Sequence, residues 1–133
     1  MKYLLDTNIC IYIINNRPKS VLDRFNALEV GDVAISVITL YELLYGAYKS
    51  QQVDKNTAAV RKFITPLELI KFNELTADAC GKLRAEQEQT GNILGPMDLQ
   101  IAATAIARSL TLVTNNTREF QRVNNLKLES WVD

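Results

Sequence analysis

A chain of 133 residues with 47% hydrophobic content is the size of one domain, residues 1–133, with enough apolar side chains for a real core, and no apolar run reaches the roughly 18 residues that cross a bilayer. Fifteen basic residues balance fifteen acidic ones and histidine is absent, which excludes a strongly basic whole-domain footprint for nucleic acid, imidazole acid–base catalysis and any imidazole-built metal site. The two cysteines, Cys10 and Cys80, lie far apart without CxxC spacing and read as buried thiols, neither zinc ligands nor a disulfide.

Met1-Lys2 runs straight into Tyr3-Leu4-Leu5, which Asp6 interrupts, so the long apolar core of a secretory signal is missing and the expected compartment is the cytoplasm. Lys2 to Leu5 predicts a buried strand whose exit, Asp6-Thr7-Asn8, caps a helix from Ile9 to Ile14, stopped by Asn15-Asn16. Pro18 is placed to be the first residue of a second helix carrying Val21, Leu22, Phe25 and Leu28 at spacings of three and four. Val33-Ala34-Ile35 follows the turn-like Gly31-Asp32 as a second strand. Ser36 can cap the next helix, on which Val37, Leu40, Leu44 and Ala47 form an apolar stripe and Glu42 falls off it, in line with Ile38 and Gly46. The polar stretch Ser50 to Lys55 predicts a loop, and a helix with Val60, Phe63 and Ile64 follows.

Glu68 to Phe72 alternates with period two, as a half-buried strand does. Thr76 is the expected start of a long polar helix through Leu83 to Gln89, with Gly91 just past its end. Pro96 starts another, alanine-rich, from Met97 to Ser109. Thr111 to Thr114 predicts the fourth strand and Lys127 to Trp131 a weaker fifth. Strands alternating with helices imply right-handed βαβ units, an α/β class and a mostly parallel sheet of four to five strands.

Three acids stand at element ends or beside them: Asp6 after strand one, Glu42 in the helix after strand two, and Asp98 at the third position of the helix opened by Pro96. Each has a local reading. Asp6 can be a helix cap, Asp98 can complement a helix dipole, and Glu42 can be a solvated helix residue. Under the fold reading all three converge where open α/β sheets bind ligands, beyond the carboxyl ends of the strands near the reversal of strand order. Carboxylates at about 4 Å repel by roughly 4 kcal/mol at an effective dielectric near 20, so the cluster calls for a cation or raised pKa values. Oxygen-only ligands suit Mg²⁺ or Mn²⁺. The loop after the fourth strand, Thr114 to Phe120, adds Asn116 and Glu119 as candidates for a fourth ligand position, against the alternative of a capped turn.

Leu4-Leu5-Asp6-Thr7-Asn8, Ser36 to Gly46, Gly95-Pro96-Met97-Asp98 and Val113 to Phe120 together resemble the four motifs of PIN-domain ribonucleases, and most of all the VapC toxins of toxin–antitoxin pairs; the likeness runs from Met1 to Trp131. It implies a PIN-like three-layer α/β/α sandwich and an endoribonuclease dependent on Mg²⁺ or Mn²⁺. It also implies a homodimer neutralised by a VapB-type antitoxin, with an RNA substrate, tRNA favoured on family grounds. Asp6, Glu42 and Asp98 match the family's first three acidic positions. The fourth, often aspartate, is Asn116 here, with Glu119 one turn later.

On that reading Asp6 and Asp98 are the main metal ligands and Glu42 orients the attacking water or completes the coordination. Thr7, Asn8, Thr114 and Asn115 are candidates for supporting the ligands or touching phosphate, with ordinary capping as the alternative. Arg84, Arg118 and Arg122 can meet RNA or antitoxin, or be solvated. Tyr41, Tyr45 and Tyr48 are expected in a core or an interface. Two rival functions are a receiver-type Mg²⁺-binding signalling module, which wants paired acids after strand one and a lysine after the last core strand, and a non-catalytic RNA-binding PIN-like domain.

Overall fold

A computed structural model describes residues 1–132. Five short strands, β1 (Tyr3–Leu5), β2 (Val33–Ser36), β3 (Glu68–Ile70), β4 (Thr111–Val113) and β5 (Lys127–Glu129), form one sheet in the order β3-β2-β1-β4-β5, every pair parallel. The chain builds outward from β1 to β2 and β3, then crosses to the other side of β1 for β4 and β5. Strand order therefore reverses between β1 and β4, where Leu4 pairs with Leu112 and Leu5 with Val113. The expected "mostly parallel" sheet is parallel throughout.

Neighbouring residues of a strand serve opposite faces, which accounts for the continuous apolar runs. Leu4, Ala34 and Leu112 face a core layer built with Leu83, Leu99, Ile101, Ala102 and Ala105. Leu5, Ile35 and Val113 face the other, with Ile9, Ile13, Val21, Leu43 and Val60. The first layer belongs to α5 (Glu74–Thr90) and α6 (Pro96–Ala107), the second to α1 (Thr7–Ile14), α2 (Lys19–Asn26), α3 (Val37–Tyr48) and α4 (Val53–Ile64). The result is the three-layer sandwich. Leu4 and Leu5 are both fully buried, each contributing about 2 kcal/mol from burial alone.

Several boundaries differ from expectation for local reasons. α1 begins at Thr7, two residues early, because the Asp6 side chain accepts the Ile9 N–H and makes Asp6 the cap itself. Pro18 is the cap of α2 and not its first helical residue, and Leu28 lies beyond that helix. The presumed loop 50–55 is helical from Val53. α5 is opened by Asn73, whose side chain accepts the Thr76 N–H, and not by Thr76. Gly91 ends it at φ 77°, the left-handed conformation glycine adopts freely. α6 ends at Ala107, ahead of Ser109. β3 stops at Ile70, β4 at Val113 and β5 at Glu129, each short of its sequence estimate. β3 is an edge strand, so Leu69, inside the apolar alternation, is exposed.

α3 carries the instructive correction. Ser36 caps it as expected, accepting the Thr39 N–H at 3.1 Å, but its buried face is Thr39, Leu43 and Ala47. Val37, Leu40 and Leu44 are only half-buried, and lie on the flank shared with exposed Tyr41, Tyr45 and Tyr48. Of the cysteines, Cys10 is buried and Cys80 only half-buried, and both are free.

Candidate active site

The carboxyl ends of β1 and β4 meet at the reversal of strand order, and each delivers one polar residue there. Asp6 leaves β1, its backbone N–H bonded to Val113 O at 3.0 Å, and only 6% of it is exposed. Oδ1 accepts the Ile9 N–H at 3.2 Å; Oδ2 accepts the Thr114 hydroxyl at 2.5 Å. Thr114, fully buried after β4, also accepts the Asn116 N–H at 3.0 Å, so a single hydroxyl joins the carboxylate of one strand end to the loop of the next. Burial raises the Asp6 carboxyl above its ordinary 3.8; the hydrogen bonds from Thr114, Ile9 and Asn8 oppose the rise, and the charge of Glu42 adds to it.

Glu42 projects from the second turn of α3 and is half-buried. The Thr7 hydroxyl donates to its Oε1 at 2.6 Å and lies 3.3 Å from the hydroxyl of Thr39. Asp98 is the third residue of α6, behind Pro96, where a carboxylate also complements the helix dipole. Its carboxyl is raised first by burial and then by the negative charges of Asp6, Glu42 and Glu119. Acids from three other segments thus act on Asp98. None of the three ion pairs among the described residues involves any of them: those are Arg24–Glu129, Lys82–Asp78 and Arg84–Glu88. Among the described residues no cation is paired with these acids.

This donor set fits a hard divalent cation: it is all oxygen, partly desolvated and without a basic neighbour. Among the described residues no group of three acids stands close enough to hold one ion directly.

The remaining sequence candidates divide. Asn116 is half-buried at the start of the short α7 (Thr117–Phe120) and caps it with no side-chain bond, while Glu119 is exposed within it. Asn8 is exposed and reaches Asp6 through its backbone. The Asn115 amide donates to the Tyr12 hydroxyl at 2.9 Å, tying this loop to α1. Arg84 is paired with Glu88 on the surface of α5; Arg118 and Arg122 are exposed. Sequence reasoning missed Tyr12 and Thr39. Both partners are more than 30 residues away in the chain, so no local pattern marks them.

The PIN domain family profile matches residues 3–126. The chain is 46% identical over 131 residues to the tRNA(fMet)-specific endonuclease VapC of Shigella flexneri, covering 98% of both.

The chain belongs to the VapC ribonucleases of the PIN-domain family.

Solved structures agree with that assignment. VapBC2 of Rickettsia felis bound to a DNA fragment from its promoter superposes with a TM-score of 0.92 at 44% identity, over 99% of this chain and 100% of that one. DNA-bound VapBC of Salmonella typhimurium gives 0.94 at 43%, over 99% of each. The PIN fold accounts for the sheet order and the sandwich. The receiver reading fails against it, and no lysine follows β4, where Thr114-Asn115-Asn116 stands. Among the described residues no helix is long and apolar enough to cross a membrane.

Proposed function

We propose that this VapC is the toxin of a type II toxin–antitoxin pair and cuts RNA, tRNA first among the candidates, as a Mg²⁺- or Mn²⁺-dependent endoribonuclease in the cytoplasm. The observation that carries the reading is the group of Asp6, Glu42, Asp98 and Glu119 at the reversal of strand order, none paired with a cation among the described residues. The tRNA(fMet) specificity of the Shigella flexneri relative supports the substrate class.

Asp6 and Asp98 would hold the cation, and Glu42 would complete its surroundings through water. A divalent cation bound there supplies Lewis acidity to the phosphodiester and to the attacking water. Thr114 and the Ile9 N–H keep the Asp6 carboxylate in place. Thr7 holds one oxygen of Glu42 and leaves the other to orient water or accept its proton. Asn116 and Glu119 are the candidates at the fourth position. Water attack forms the new P–O bond and expels the 3′ oxygen, which takes up a proton, leaving a 3′-hydroxyl and a 5′-phosphate.

Two apolar surfaces suit the partners found in VapBC complexes. A groove of 280 Å³ between α1, α3 and α4, lined by Ile11, Ile14, Leu43, Ala47 and Val60, runs up to Glu42 and would seat an apolar antitoxin segment beside the acids. Tyr41, Tyr45 and Tyr48, between 54% and 59% exposed, line a shallow apolar depression on α3 that would take a second copy of the chain.

Incubating the purified protein with tRNA and Mg²⁺ or Mn²⁺ tests the function. Cleavage abolished by EDTA, restored by excess metal and yielding 5′-phosphate ends is expected. Undiminished cleavage in EDTA, or 2′,3′-cyclic phosphate ends, would overturn it.

A further inference from the structure

We propose that Thr39 is a positioning residue of the acid site, acting through Thr7 to fix the carboxylate of Glu42. The inference rests on the proposed function for its catalytic consequence, while its geometry stands apart from it.

Thr39 is fully buried. Threonines further along helices or at their ends return their hydroxyls to the carbonyl four residues back, Thr57 to Val53, Thr65 to Arg61, Thr90 to Glu86 and Thr104 to Gln100, and Thr76, third in α5 as Thr39 is in α3, donates to its own cap Asn73 at 3.2 Å. Thr39 is the third residue of α3, so the residue four back lies in β2 and offers no helical carbonyl. Its hydroxyl instead meets Thr7, on another element, 32 residues away.

Proton counting sets the direction of that contact. Thr7 has one hydroxyl proton, and an ionised carboxylate only accepts. The 2.6 Å contact to Glu42 Oε1 therefore takes the Thr7 proton, and the proton in the 3.3 Å contact between the threonines comes from Thr39. The chain runs Thr39 to Thr7 to Glu42. The outer link is the longer one; donation into the Thr7 oxygen polarises its hydroxyl and strengthens the inner link. With Oε1 held, Oε2 stays available to water. Thr39 is fully buried and its hydroxyl meets Thr7, so its effect on the site passes through Thr7.

Single-turnover and steady-state cleavage of tRNA by Thr39→Val, Thr39→Ser, Thr7→Val and the Thr7→Val/Thr39→Val pair test the relay. Thr39→Val should lower kcat about fivefold, the effect of one modest hydrogen bond, with KM unchanged. Thr39→Ser should restore it, and Thr39→Val should add nothing in the Thr7→Val background. Wild-type kcat in folded Thr39→Val, or a further fall in the double variant, overturns the proposal. NMR of the wild-type protein decides independently of activity and of how the variants fold. A Thr39 hydroxyl proton protected from exchange and close to Thr7 supports the relay, and a freely exchanging one overturns it. If the wild-type protein cleaves no RNA, the proposed function falls and this spectrum still judges the geometry.

Discussion

Thr114→Val removes the hydroxyl that joins the two strand ends while keeping the shape of a fully buried side chain. Two bonds are lost: the donation to Asp6 Oδ2 and the acceptance from the Asn116 N–H. A hydrogen bond to a charged group contributes about 1.5–3 kcal/mol and the orphaned N–H about 1 more, so the variant should be about 2.5–4 kcal/mol less stable near neutral pH. The effect carries a pH signature. Donation by Thr114 favours the ionised Asp6 and opposes the rise that burial imposes, so without it the Asp6 pKa climbs further. The gap is therefore full where Asp6 is ionised in both proteins, and narrows as falling pH protonates it in the variant first. Urea unfolding in EDTA at about pH 7.5 and about pH 4.5 measures both gaps. A loss below about 1 kcal/mol at neutral pH, or a gap that widens on acidification, would refute the reasoning.

Asp98 has a folded pKa above its ordinary 3.8, so the native state binds the extra proton and wild-type stability declines as pH rises through that pKa. Asp98→Asn should remove this decline in metal-free protein, giving a Tm about 2–4 °C higher at neutral pH and no gain at low pH, a modest effect because the group is half-exposed; calorimetric melts across pH check it. Glu119→Gln should weaken Mn²⁺ binding more than Asn116→Ala does, and Asn116→Asp should tighten it, by titration calorimetry; unchanged affinity for Glu119→Gln would make Glu119 a surface group. Tyr45→Glu places a charge in the apolar depression on α3 and should shift the protein from dimer to monomer by light scattering, without loss of folding.

The residues that announce themselves locally were legible in the sequence. Ser36 as a cap, Gly91 beyond α5 and Pro96 at the start of α6 act within one turn of where they stand, and the structure uses each as expected. Asn73 and Thr76 show the limit of such signals: both can cap, and which one does depends on where the chain leaves β3. The stripe of α3 was misplaced because Val37, Leu40 and Leu44 are apolar without being the buried face, whereas polar Thr39 is buried. The nearness of Asp6, Glu42 and Asp98 was an expectation from chain order, since Asp6 follows β1, Glu42 lies in the helix after β2 and Asp98 stands in the first turn of the helix that leads into β4. What no local pattern could give was the hydroxyl framework, Thr39 to Thr7 to Glu42 and Thr114 to Asp6, because each bond between elements joins residues 32 to 108 apart.

The most direct test of the account is the Mn²⁺ dependence of single-turnover tRNA cleavage by the wild-type protein and by folded Asp6→Asn and Asp98→Asn. Loss of cleavage in both variants at any metal concentration, with circular dichroism and unfolding cooperativity retained, is the predicted result. Turnover near the wild-type rate in either folded variant would contradict it and return that aspartate to a helix cap or a dipole partner.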